Sequence, residues 1–188
     1  MHVFSSFFQA AKKDVDTLSV ATYKYRMASK IIKKNDLASE IGKRGAFSSP
    51  QQEVFLNLVR THGQLSAEFN QLFKAHHLSS HQYNVLRILQ GENKPMQVYQ
   101  IAERMISPQT DISRLIERLV NTKLVSRDRC GEDRRVVWVS LTSEGKAILK
   151  KMIKPLEKLH RSQFQNLSER ELATLNRLLF RAREPKDG

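Results

Sequence analysis

A mainly α-helical fold with a small β-wing, a winged helix-turn-helix, is predicted by three consecutive signals between residues 97 and 145. QVYQIAERM (97–105) and SPQTDISRLIERLVNT (107–122) both carry helical patterning, and almost no slack separates them. KLVSRDR (123–129), CGED (130–133) and RRVVWVSL (134–141) then read as strand, tight turn and strand. Apolar stretches at helical spacing lie on both sides, at about 51–75 and 143–183. The class is therefore winged helix-turn-helix with long N- and C-terminal helices around the winged part.

The second helix carries most of the argument. Ile112, Leu115, Ile116 and Leu119 fall at i, i+3, i+4 and i+7 and form one apolar stripe. Thr110, Ser113, Arg114, Glu117, Arg118 and Asn121 occupy the other side. Their hydroxyl and guanidinium groups can donate to phosphates and base edges. Pro108 suits a first helical turn, and either Ser107 or Thr110 is a capping candidate.

Leu124 and Val125 begin the first wing strand, and Val136, Val137, Trp138, Val139 and Leu141 make the return. Gly131 belongs to the turn. Arg129, Arg134 and Arg135, beside Asp128, Glu132 and Asp133, place cations on a stiff ribbon suited to a narrow groove.

The flanks follow in order. Residues 1–50 hold nine Lys or Arg against four Asp or Glu and read as a basic arm, partly disordered or loosely helical. Met27 opens a start-like stretch, so residues 1–26 are expected to be an upstream extension of little structural weight. Phe4, Phe7 and Phe8, and the basic cluster Lys30, Lys33, Lys34, Lys43 and Arg44, belong to this arm. From Pro50, Val54, Phe55, Leu58 and Val59, then Leu65, Phe69, Leu72 and Phe73, predict a helix of about 24 residues around Gly63. Tyr83, Val85, Leu86, Ile88 and Leu89 predict the next helix, capped by Ser79 or Ser80, with GENKP (91–95) as a loop and Ile101 and Met105 facing the core. Thr142 is a good N-cap for a helix to about Arg161 that Pro155 should bend. Ser168 and Glu171 form a capping box ahead of Leu172, Leu175, Leu178 and Leu179. The expected organisation is an arm (1–50), one domain (51–183, its winged lobe about 78–141) and a tail (184–188). The outer helices hold more apolar positions than a small winged lobe needs, which points to a helical dimer interface, with a monomer that folds them back on itself as the alternative.

Composition narrows the function. The chain has 188 residues with 32 Lys and Arg against 19 Asp and Glu, a net charge of +13, and such a basic excess points to a polyanion. No run of 18 apolar residues and no signal-peptide pattern occurs, so no membrane span and a cytoplasmic location are expected. The single cysteine, Cys130, cannot form an internal disulfide. No nucleophile–base pair, phosphate-cradling glycine loop or convergent carboxylate pair is recognisable, so no catalytic residue and no cofactor are expected. His76, His77 and His81 lie close together, but the helix boundary at residues 78–80 breaks their shared face, and no metal site is expected.

DRRVVWVSLTSEG (133–145) resembles the wing signature of the MarR family of bacterial transcription regulators, Asp-x-Arg, a short β run, then Leu-Thr-x-x-Gly. Asp133, Arg135, Leu141, Thr142 and Gly145 match it. DISRLIERL (111–119) is similar to the family's recognition helix, and LSSHQYNVLRIL (78–89) and QIAERM (100–105) to the helices before it. The likeness covers about residues 52–183, with a weaker echo at 42–61. Lys123 stands where the family usually has glycine, and a non-glycine residue in a left-handed conformation costs about 1 kcal/mol.

The resemblance implies a homodimer on double-stranded DNA, each subunit laying helix 108–121 in a major groove. Arg135, oriented by Asp133, would enter the adjacent minor groove. Gln109, Thr110, Ser113 and Arg114 are the candidates for base and near-backbone contacts, and Arg118, Arg129 and Arg134 for phosphates. It also implies repression relieved by a small aromatic effector, for which Phe69, Phe73 and Tyr83 are candidate lining residues, although aromatics at this spacing are commonly core. Family members that sense oxidants use a cysteine in the first long helix, which does not carry over to Cys130. The alternative function is a sequence-tolerant architectural DNA- or RNA-binding protein with no effector response.

Overall fold

The computed structural model describes residues 36–108, 110–129 and 136–185. Residues 1–35, and with them Phe4, Phe7, Phe8, Lys30, Lys33 and Lys34, lie outside the described residues. So do Gln109, Cys130, Gly131, Asp133, Arg134, Arg135 and the side chain of Arg129.

The chain divides into two compact units at Ala67 and Glu68. In the first, α1 (Leu37–Glu40) is capped by Asp36, whose carboxylate accepts from the Ser39 N–H at 2.7 Å. Leu37 is buried, Glu40 pairs with Arg60 at 3.4 Å, and the Lys43 ammonium sits 5.5 Å from the centre of the Phe47 ring. Helix α2 (Pro50–Ala75) begins in this unit and runs into the second. At 26 residues it is slightly longer than its periodicity predicts.

The second unit holds the winged part. Helix α3 (Ser80–Glu92) starts from Ser79, which forms a reciprocal capping box with Gln82. It ends at Asn93, whose φ of 55° is left-handed. The expected 91–95 loop is therefore shorter: Gly91 and Glu92 remain helical, because packing of Val85, Leu86 and Leu89 outweighs the ~1 kcal/mol a helical glycine costs. Glu92 closes this corner by pairing with Arg104 and, at 3.0 Å, with Lys94. The Arg104 guanidinium, then Lys94, holds the Glu92 carboxyl below its ordinary value.

Strand β1 (Met96–Gln97), helix α4 (Val98–Glu103), helix α5 (Ile112–Asn121), strands β2 (Val125–Arg129) and β3 (Val137–Leu141), helix α6 (Ser143–Gln163) and helix α7 (Glu169–Arg181) follow. The sheet is antiparallel in the order β1-β3-β2, with Met96 opposite Val139 and Arg127 opposite Val139 on the other edge. The sequence showed two of these strands; β1 is only two residues long and is recruited by pairing with β3. Met96, Val125 and Val139 turn inward onto Leu86, Leu89, Ile101, Ile116, Leu119 and Met152, all buried in one cluster. Thr142 caps α6 and Ser168 with Glu171 boxes α7, as their spacing predicts. Helix α6 continues through Pro155 to Gln163. Among the described residues, no helix is long and apolar enough to cross a membrane, and no group of three His, Cys, Asp or Glu is placed to hold a metal.

Lys123 takes the left-handed conformation, φ 61°, that glycine would otherwise supply. The Leu124 N–H reaches the Leu119 carbonyl at 3.0 Å and the Lys123 N–H reaches that of Val120 at 2.8 Å, the two bonds of a Schellman motif. Replacing Lys123 with Gly is therefore expected to stabilise the chain by about 1 kcal/mol. A higher urea midpoint at unchanged slope is the check; a lower midpoint would show that the lysine side chain contributes more than its backbone strain costs.

Candidate nucleic-acid interface

Helix α5 presents two chemically distinct sides. Leu115, Ile116 and Leu119 are buried in the core, with Ile112 packed against it. Ser113, Arg114, Glu117, Arg118 and Asn121 are exposed on the helix, and Thr110 is exposed in the turn just before it. The amphipathic reading of this helix thus places five polar side chains on an accessible surface.

The start of α5 differs from expectation. Asp111, with φ −134° and ψ 60°, is the N-cap; its carboxylate accepts from the Arg114 N–H at 3.2 Å. Neither Ser107 nor Thr110 fills that place, and Pro108 lies ahead of the helix instead of in its first turn. The Asp111 carboxylate has a second task, its Oδ2 also holding the Arg114 Nε at 3.0 Å. An exposed pair of this kind adds little stability. It restricts the guanidinium while leaving the Arg114 side chain 77% exposed, so its terminal amino groups stay available as a fork for a base edge or phosphate. Sequence reasoning passed over Asp111; the signal was an excellent capping residue three positions before an arginine.

Further bonds fix the height of α5. The turn before it is tied to α3 by the Ile106 N–H donating to the Asn84 Oδ1 at 2.9 Å. Its far end is tied to α6: the Thr142 hydroxyl donates to the Lys123 carbonyl at 2.8 Å and accepts from the Gly145 N–H at 3.0 Å. One hydroxyl thereby joins the exit of α5 to the entry of α6.

A solved MarR transcription factor from Planctomyces limnophilus superposes with a TM-score of 0.58, at 40% identity over 71% of this chain and 98% of its own. The chain belongs to the MarR family. The model of the transcriptional regulator SarA/Rot family matches residues 67–152, the span from the end of α2 to the first half of α6. The repressor IacR of Pseudomonas putida is 29% identical over 125 residues, 66% of this chain and 74% of its own length. Bordetella bronchiseptica BpsR, solved in a study of how 6-hydroxynicotinic acid regulates its DNA binding, is 26% identical with a TM-score of 0.62, covering 70% of this chain and 98% of its own. These MarR-type relatives are transcription regulators.

In the MarR winged-helix architecture α5 takes the place of the second helix of the helix-turn-helix, and β2–β3 form the wing. The candidate effector residues form a ladder: Phe73 stacks on Tyr83 with ring centres 4.8 Å apart and on Phe69 at 6.0 Å, and Phe69 leans on His160 at 5.1 Å. Phe73 is buried in the core, while Phe69 and Tyr83 are partly buried against it. Burial raises the Tyr83 phenol above its ordinary value, so it stays a neutral O–H.

Proposed function

We propose that this MarR-family chain is a sequence-specific DNA-binding repressor that acts as a homodimer on a pseudo-palindromic operator and answers to a small aromatic effector. The exposure of Ser113, Arg114 and Arg118 on a helix whose other side is locked in the core, with Thr110 exposed in the turn before it, carries the reading. A rigid helix with adaptable polar tips is what base-edge recognition requires. Gln109 would join these residues at bases, Arg129 and Arg134 would join Arg118 at phosphates, and Arg135 oriented by Asp133 would enter the minor groove.

Unpartnered apolar faces support the dimer. Val54, Phe55, Leu58 and Val59 are exposed on α2, beside a shallow groove that Pro50 and Gln51 help to line. Helix α7 buries no residue, and its Phe180 is 62% exposed. Half-sites one helical turn apart, about 34–36 Å, follow from two-fold symmetry. For the effector, the support is the half-buried Phe69 and Tyr83 of the ring ladder together with the regulation named for BpsR. Such a ligand can act only through unequal affinity for two arrangements of the dimer.

Footprinting the purified protein on its own upstream region tests the reading. A protected pair of half-sites is expected; equal retention of that region, random duplex and single-stranded RNA would favour the sequence-tolerant alternative. Within the site, Ser113→Ala and Arg114→Ala are expected to relax preference among operator variants by about 1–3 kcal/mol. Arg135→Ala should weaken specific and random duplexes alike. Equal effects from all three in a gel-shift series would contradict this division.

A further inference from the structure

Helix α6 has a face that the operator reading leaves unused. Gly145, Leu149, Met152 and Leu156 are its buried side. Lys146, Lys150, Lys154, Lys158 and Arg161 follow at steps of four, four, four and three, with Lys151 on the flank, and all six are exposed. At 3.6 residues per turn those steps keep the cations together on the side away from the core, over about 22 Å at 1.5 Å per residue. Glu157 is the one carboxylate among them, and among the described residues no ion pair engages any of the six cations. Lys154, Glu157, Lys158 and Arg161 surround a shallow depression of about 260 Å³.

We propose that this band binds the phosphate backbone of a second DNA duplex, so that a chain seated on its operator through α5 also gathers a neighbouring segment. The proposal rests on the reading of α5 as the first DNA contact. Charge selects a polyanion, and the surrounding chemistry selects which one. Single strands are held by stacking bases on aromatic rings; the one aromatic ring of α6, that of His160, lies against Phe69. A helix lying in a bilayer surface needs an apolar face to insert; here that face is in the core. Lysine ammoniums spread along a solvated helix face serve as point charges for phosphates, and phosphate contacts carry no sequence information, so the contact is blind to sequence.

The test is capture of a fluorescent duplex of unrelated sequence by full-length protein bound to a bead-held operator duplex. Wild type is expected to capture it at about 50 mM salt and to release it near 200 mM. The triple change Lys150→Gln, Lys154→Gln, Lys158→Gln should lower capture at least tenfold and make its salt slope shallower by about 2 to 3. Operator affinity measured with protein limiting should shift less than twofold, and the triple Lys→Arg counterpart should restore capture. Wild type that holds operator but captures nothing would overturn the proposal and leave the α5 reading intact. So would capture that survives in the triple Gln protein, or retention on phosphatidylserine vesicles in place of duplex. A triple Gln protein that folds but no longer holds operator would make the band the primary contact and overturn both readings.

Discussion

Gly145→Ala is expected to be among the most damaging single changes outside the contact residues, lowering stability by about 2–4 kcal/mol and weakening operator binding with it. A Cβ built at Gly145 would lie 2.3 Å from the Leu124 carbonyl oxygen and 2.6 Å from the Leu141 Cδ1. The first neighbour is backbone and cannot swing away. That carbonyl also accepts from the Thr142 N–H at 3.3 Å, and the Leu124 N–H closes α5 onto Leu119. Relief requires the first turn of α6 to withdraw, which breaks the Thr142 hydroxyl bonds to Lys123 and Gly145. Overpacking of this kind costs about 1–3 kcal/mol, and the lost cap adds about 1. Because the same atoms fix the exit of α5, that helix would tilt as well. Urea unfolding and a gel shift on operator read the two effects. Thr142→Ser, which keeps the bridging hydroxyl, should retain both properties. A Gly145→Ala protein with the wild-type midpoint would show that the two segments do not approach this closely.

That junction also illustrates what the sequence could and could not convey. The apolar stripe of α5 was legible because Ile112, Leu115, Ile116 and Leu119 repeat at the helical period and their burial follows from it. Thr142 and Ser168 were legible because caps are local. The bridge from Thr142 to Lys123 joins residues 19 apart, a relation no local pattern encodes. Strand β1 failed for the same reason, since two residues carry no period and Met96 is extended only through its pairing with Val139. At the start of α5, Ser107, Thr110 and Asp111 were all chemically able to cap; the choice went to Asp111, which also engages Arg114. At Lys123 the pattern lacked its glycine, yet the backbone adopts the left-handed turn regardless, because the Leu119–Leu124 bond and the Thr142 bridge outweigh about 1 kcal/mol of strain. The polar tips of α5 are where the fold leaves them accessible. Arg134 and Arg135 were legible as cations of the charged turn and Asp133 only through the family's wing signature, and all three lie outside the described residues.

Operator affinity is expected to fall by on the order of 10³ to 10⁵ when salt rises from about 50 to 200 mM, a larger effect than any single substitution should produce. The cause is release of counterions condensed on the duplex, so the slope counts neutralised phosphates. Arg118, Arg129 and Arg134 in each of two subunits would supply about six, which gives a slope near −5 and the lower end of that range. Arg118→Ala removes about one contact per subunit, so the slope should become shallower by about 2 while operator and random duplex weaken together. Ser113→Ala should leave the slope unchanged and alter only the ranking of operator variants, because a hydroxyl facing a base displaces no counterion. Arg118 is exposed on the same helix as Ser113, which makes the pair a clean comparison of charge with readout. A wild-type slope near zero combined with retained sequence preference would contradict phosphate anchoring by these arginines. A slope steeper than about −10 in wild type that drops to near −5 in the Lys150, Lys154 and Lys158 triple Gln protein would instead place the α6 band on the operator itself, replacing the second-duplex assignment.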